Sequence, residues 1–111
     1  MNEKIKAFGD LHIPGNPLIL YNIWDAGSAK AVADAGAKAI ATGSWGVACS
    51  LGFKDGETLP LDAALENLQR VISVTDLPVT IDMEAGYGAD AAAVGASVAR
   101  AASAGAVDVL P

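Results

Sequence analysis

The chain returns twice to the same short corner. Asp34-Ala35-Gly36-Ala37 and Ser103-Ala104-Gly105-Ala106 each close an alanine-rich stretch and open a short apolar run. Glycine just past a helix end accepts the left-handed turn that stops the helix. An apolar run of about four to eight residues has the length of a buried strand. Helix, corner and strand in repetition constrain the fold strongly, because strands joined by helical crossovers form a parallel sheet.

Extended outward from those corners, the pattern reads β-α-β-α-β-α-β. Residues 18–23 (LILYNI) read as a buried strand. Asp25 then offers an N-cap for a helix over 26–35, with Ala29, Val32 and Ala33 on one face and Gly36 as its stop. Residues 38–42 form a second strand, and the glycine-rich 43–57 reads as a long loop without periodicity. Pro60 introduces a helix whose Leu61, Leu65, Leu68 and Ile72 make one apolar stripe. A third strand covers 78–82, and an alanine-rich helix over 89–104 starts at the Asp90 cap and ends at Gly105. A fourth strand follows over 106–110, and Pro111 would sit awkwardly in a central strand. Strands this apolar are expected to be covered on both faces.

Two architectures satisfy this alternation. One is a doubly wound sheet of four or five strands. The other is a (β/α)₈ barrel, which takes ~250 residues, so this chain would supply about four of its eight units. Periodicity leaves both open. The glycine fingerprints of nucleotide sites, G-x-G-x-x-G and the P-loop, are absent.

Composition narrows the partners. With 111 residues, 52% hydrophobic and 18% charged, the chain is one globular domain rather than a disordered segment. No apolar stretch reaches the ~20 residues of a membrane span, and the N-terminus carries no signal-peptide core. The single Cys49 fits a reducing compartment, so a cytoplasmic location is expected. A net charge of −6, with 7 basic residues scattered singly, offers no face for nucleic acid.

The chemistry concentrates in residues 80–88, TIDMEAGYG. Side chains alternate along a strand, so Thr80, Asp82 and Glu84 should share one face while Val79, Ile81 and Met83 take the other. That puts two carboxylates together at the C-terminal end of a strand, where α/β proteins bind ligands. Two acids there repel unless a proton or a cation lies between them, and Mg²⁺ favours such oxygens. Capping of the next turn by Asp82, with Glu84 solvated, fits the same spacing. Among other candidates, His12 reads as structural, at the N-terminal helix or its exit. Trp45 reads as pocket wall or packing, and Cys49 as a small buried residue rather than a nucleophile. Tyr87 reads as held in a tight turn by its flanking glycines.

Beyond single motifs, the chain resembles the isocitrate lyase/phosphoenolpyruvate mutase superfamily. The matching residues are Phe8 with Leu11-His12, the stretch NIWDAGSAKAVADAGAKAIATGSWGVACSLGFKDGE over 22–57, LPVTIDMEAGYG over 77–88, and AGAV over 104–107. The resemblance implies the first half of a (β/α)₈ TIM-type barrel, incomplete at its C-terminus. It further implies Mg²⁺-dependent lyase or mutase chemistry on a small 2-oxo acid or phosphonate through an enolate-like species. Asp82 matches the direct metal ligand and Glu84 the second acid. Gly43, Ser44 and Trp45 fall where backbone amides hold the substrate carboxylate. Asp55 falls on the loop that closes over the site and carries a functional acid.

The resemblance also sets structural expectations. The match stops just before a Glu-Asp pair that follows the fourth strand in the family, so the chain is expected to be the N-terminal half of a longer enzyme or a truncated product. Open edges at strands one and four would favour a homo-oligomer that rebuilds a closed barrel. The alternative function is a non-catalytic half-barrel remnant that only self-associates. Where related phosphonate enzymes and methylisocitrate lyases carry D-A-D-T-G, this chain has Asp82-Met83-Glu84-Ala85-Gly86. The resemblance therefore does not choose among decarboxylation, C–C cleavage and phosphonate chemistry.

Overall fold

The computed structural model describes residues 2–110; Pro111 and the strand question it raises lie outside them. In chain order the elements are α1 (Asn2–Asp10), β1 (Asn22–Ile23), α2 (Ala26–Asp34), β2 (Ile40–Thr42), α3 (Ser44–Ser50), α4 (Leu61–Ile72), β3 (Val79–Asp82), α5 (Ala91–Ala104) and β4 (Asp108–Leu110). All four strands are parallel and lie in the order β1-β2-β3-β4. A doubly wound sheet needs a point where strand order reverses. None exists among the described residues, and each strand pairs with its successor. The architecture is α/β, a section of a TIM-type barrel wall.

Register separates the two faces of the sheet. Ile40 pairs with Val79 and Ala41 with Thr80, and Thr80 pairs in turn with Asp108. Ile23, Ile40, Val79 and Ile81 therefore face the helices, where they are buried with Ala29 of α2, Leu65, Leu68 and Val71 of α4, and Ala101 of α5. Each fully buried Leu, Ile or Val side chain contributes about 1.5–3 kcal/mol, so this cluster carries most of the fold's stability. Helix α2 packs on α4, and α4 on α5. The opposite face bears Asn22, Ala41, Thr80, Asp82 and Asp108, small or polar residues suited to a site rather than a core, with Leu110 beside Asp82 at the end of β4.

The repeated corner has one geometry in both places. Gly36 and Gly105 take φ of 104° and 114°. The amide of Ala37 reaches back to the carbonyl of Val32, and that of Ala106 to Ala101. These are the long return bonds of a Schellman closure, and glycine is what permits them. The helix starts are equally local. Asp25 accepts the Ser28 amide at 2.8 Å, Ser28 Oγ accepts the Asp25 amide, and Asp90 accepts the Ala93 amide. His12 is structural as expected: its Nδ1 lies 2.8 Å from the Phe8 carbonyl, and its ring meets the buried Phe8 edge-on.

Three expectations need correction. Residues 18–21 are not strand, since pairing begins only at Asn22, opposite Ala41. Among the described residues β1 pairs with β2 alone, and Ile19 and Tyr21 are 68% and 69% exposed. The stretch 43–57 is not all loop. It contains α3, whose Val47 and Ala48 form a second small cluster with Leu59. Cys49 is exposed rather than buried, because that helical turn aims Val47 and Ala48 inward and Cys49 outward.

Candidate functional site

The C-terminal ends of β1, β2 and β3 open into a groove of about 340 Å³. Asn22 and Trp24 line it from β1 and its exit, Gly43, Ser44 and Trp45 from the β2–α3 junction, and Asp82 from β3. Trp45 is 67% exposed, so it forms a wall rather than packing into the core. Gly43 sits close against Asn22: a Cβ there would stand 3.1 Å from the Asn22 side chain, which would have to shift by a few tenths of an ångström. The sequence placed Gly43, Ser44, Trp45 and Asp82 on separate segments, and the fold brings them to one surface.

Asp82 is held from two sides. Its Oδ2 accepts the Ser44 amide at 3.2 Å, and its Oδ1 accepts the Glu84 amide at 2.9 Å. Its own amide donates to Thr42 Oγ1 at 3.2 Å. Each carboxylate oxygen thus keeps a lone pair after one hydrogen bond. The carboxylate is fixed in direction and can still bind.

Glu84 departs from the simple alternation. The strand ends at Asp82, and Glu84 turns into the left-handed region with φ of 54°. Its carboxylate meets the other loop instead: Oε1 accepts the Gly56 amide and Oε2 the Glu57 amide, both at 3.0 Å. The carboxyl pKa is raised, chiefly by burial; the two amides oppose this, and the Asp55 carboxyl beside it adds to it. Asp55 and Glu84 are therefore neighbours, while Asp82 borders both the open groove and the tight crevice that holds Glu84 and Tyr87.

Glu57 is a participant that sequence reasoning passed over. Its Oε2 accepts the Ala85 amide at 2.8 Å and the Tyr87 amide at 3.4 Å. The only signal was an acid directly after the glycine in Asp55-Gly56-Glu57, a pattern common in exposed turns. Tyr87 is half-buried against the core, with φ of 54°, and its carbonyl accepts Ser97 Oγ. Burial raises its pKa first, and the charges of Glu84, Glu57 and Asp82 raise it further. Its glycine neighbours have different reasons. Gly86 has φ of 98°, whereas a Cβ on Gly88 would meet backbone of α5, the Val94 nitrogen, at 2.5 Å.

Among the described residues, no three His, Cys, Asp or Glu side chains converge as a metal cage. A cation here would rest on one or two carboxylates and keep several waters. That donor set suits Mg²⁺ and is poor for zinc. The residues present fit the group.

A parallel sheet in sequential order with acids at its C-terminal rim defines the ligand-binding end of a TIM-type barrel. Comparison makes the assignment specific. The model of the phosphoenolpyruvate phosphomutase family matches residues 8–110, and the chain belongs to that family. It is 52% identical to a candidate phosphonomutase from Burkholderia cenocepacia J2315 of known structure, with a TM-score of 0.94 over 97% of this chain and 44% of that one. It is 35% identical over 107 residues to 2-methylisocitrate lyase of Salmonella typhimurium, covering 86% of this chain and 36% of that protein. The solved complex of phosphonopyruvate hydrolase with oxalate and Mg²⁺ is 22% identical, with a TM-score of 0.84 over 96% of this chain and 37% of that one, and shows the shared fold. The chain thus spans less than half the length of each. No helix among the described residues is long and apolar enough to cross a membrane.

Proposed function

We propose that this chain provides the cation- and carboxylate-binding half of an enzyme acting on a small 2-oxo acid or phosphonate through an enolate-like species. The observation that carries the reading is Asp82. It is a strand-end carboxylate fixed by two amides, with free lone pairs, in the same groove as Gly43, Ser44 and Trp45. Asp82 would hold Mg²⁺, with Glu84 close behind it. Bound there, Mg²⁺ supplies a Lewis acid that polarises the substrate's 2-oxo group. Phosphonopyruvate hydrolase, with the same fold, is seen with oxalate and Mg²⁺.

The chain's own residues have distinct tasks in this scheme. The Trp45 end of the Gly43–Trp45 turn receives the substrate carboxylate, because the Gly43 amide is taken by the Ile23 carbonyl and the Ser44 amide by Asp82. The exposed Trp45 ring shields it from bulk water. Asp82 keeps its orientation because Ser44 and Glu84 hold one oxygen each. Asp55, beside Glu84, brings an acid to the edge of the site for proton transfer.

Titration of the chain with Mn²⁺, followed by electron paramagnetic resonance, tests the central claim. Asp82→Asn removes the charge and keeps the shape, and affinity should fall by at least the ~10-fold that loss of a mere supporting partner costs. Unchanged Mn²⁺ binding in Asp82→Asn would overturn the reading. Mg²⁺-dependent turnover of 2-oxo acids and phosphonopyruvate is then the direct assay of the reaction.

A further inference from the structure

Two loops at the rim hold each other by the same device used in opposite directions. Glu84 places its carboxylate on the amides of Gly56 and Glu57, and Glu57 places its carboxylate on the amides of Ala85 and Tyr87. The non-glycine residues with positive φ among those described are Glu57, Glu84 and Tyr87, at 59°, 54° and 54°. All of them belong to this clasp. A glutamate or tyrosine keeps such a backbone only when its surroundings hold it there.

We propose that Glu57 is a positioning residue: it fixes the turn that carries Glu84 and docks the Asp55 loop against the end of β3. This deepens the function proposed above and rests on it. The chain of contacts is direct. The Glu57 carboxylate receives the amide next to Glu84, and the Glu84 carboxylate receives the amide of Glu57 itself. Asp55 lies two residues before Glu57 and adjoins the Glu84 carboxyl. Releasing Glu57 therefore frees both acids at once, while Asp82 keeps its Ser44 amide. Both bonds go to one oxygen, Oε2, so an uncharged carbonyl oxygen at residue 57 can fill the same place.

That distinction gives the test. Glu57→Gln keeps a carbonyl oxygen for the two amides, and Glu57→Ala keeps nothing. Lys54 is exposed on the clasped loop, while Lys30 and Arg70 are exposed on helices α2 and α4, so trypsin reports on loop and body separately. Glu57→Ala should be cut after Lys54 about 10-fold faster than wild type, because cleavage follows the open population. Cleavage after Lys30 and Arg70 should stay unchanged, and Glu57→Gln should behave as wild type. Mn²⁺ affinity should weaken several-fold in Glu57→Ala and recover in Glu57→Gln, as expected for support of a ligand shell. Wild-type cleavage at Lys54 in Glu57→Ala, equal acceleration at all three sites, or failure of Glu57→Gln to rescue would each overturn the clasp. A loosened loop with unaltered Mn²⁺ affinity would overturn the positioning role. Neither result touches the Asp82→Asn measurement, so the two readings fall separately.

Discussion

The two ends of the sheet solve the same problem, turning the chain, with opposite economies. At the N-terminal ends of β2 and β4, the corners at Gly36 and Gly105 use glycine where φ is positive and close with backbone bonds alone. At the C-terminal ends, Glu57, Glu84 and Tyr87 occupy left-handed backbone that glycine would accept more cheaply, at about 1–2 kcal/mol per residue. Carboxylate-to-amide bonds hold them there. The difference teaches where the chain is built for stability and where it tolerates strain to keep side chains with chemistry. In TIM-type folds that division runs between the bottom and top of the barrel.

The largest test of this contrast is Gly88→Ala. A Cβ there would meet the Val94 nitrogen at 2.5 Å and the Ala93 carbonyl carbon at 2.7 Å, both backbone. Neither can yield without moving α5, so urea unfolding should show a loss of about 3 kcal/mol, the upper range for overpacking. A loss under about 1 kcal/mol would mean that the rim is more pliant than the corners.

The corners give a graded pair. Gly105→Ala combines a φ of 114° with a Cβ 2.9 Å from Ile72 Cδ1, a movable side-chain tip, and should cost about 2 kcal/mol. Gly36→Ala has a φ of 104° in open space and should cost about 1 kcal/mol, by strain alone. Equal losses in thermal or urea unfolding would show that contact with α4 adds nothing.

The smallest effect separates titratable from untitratable turns. The pKa of Asp25 is lowered, first by the Ser28 amide and then by the Ser28 hydroxyl. A lowered carboxylate binds fewer protons folded than unfolded. Its stabilisation is therefore present above the unfolded value and lost as pH falls through the folded one, below about pH 4. Asp25→Asn keeps an acceptor for the cap and removes the titration, so its stability curve should be flatter below about pH 4 than that of wild type. Identical acid slopes would rule this cap out as a source of acid sensitivity.

Much of the fold was legible because its signals are local. The caps at Asp25 and Asp90, the glycine stops and the α4 stripe each lie within a few residues of the structure they specify. α3 was not legible, because seven residues make two turns, too few for a period, and three of them are Ser or Gly. Residues 18–21 carry a strand-like apolar run, yet pairing starts only at Asn22, opposite Ala41, a register that no local pattern encodes. In the site, the strand-end position of Asp82 followed from alternation. The turn at Glu84 did not, because it is held by Glu57, 27 residues away in sequence. Glu57 itself carries no signature, since its role exists only once the two loops meet.

The sequential strand order has a consequence for how the chain is made. Each strand docks beside the one synthesised just before it, and the crossover helices pack in turn, α4 on α2 and α5 on α4. A ribosome delivers about 5–20 residues per second, far slower than the microseconds in which helices and short loops form. Each strand after the first therefore finds the edge it pairs with already formed as it emerges, so these units can assemble in the direction of synthesis.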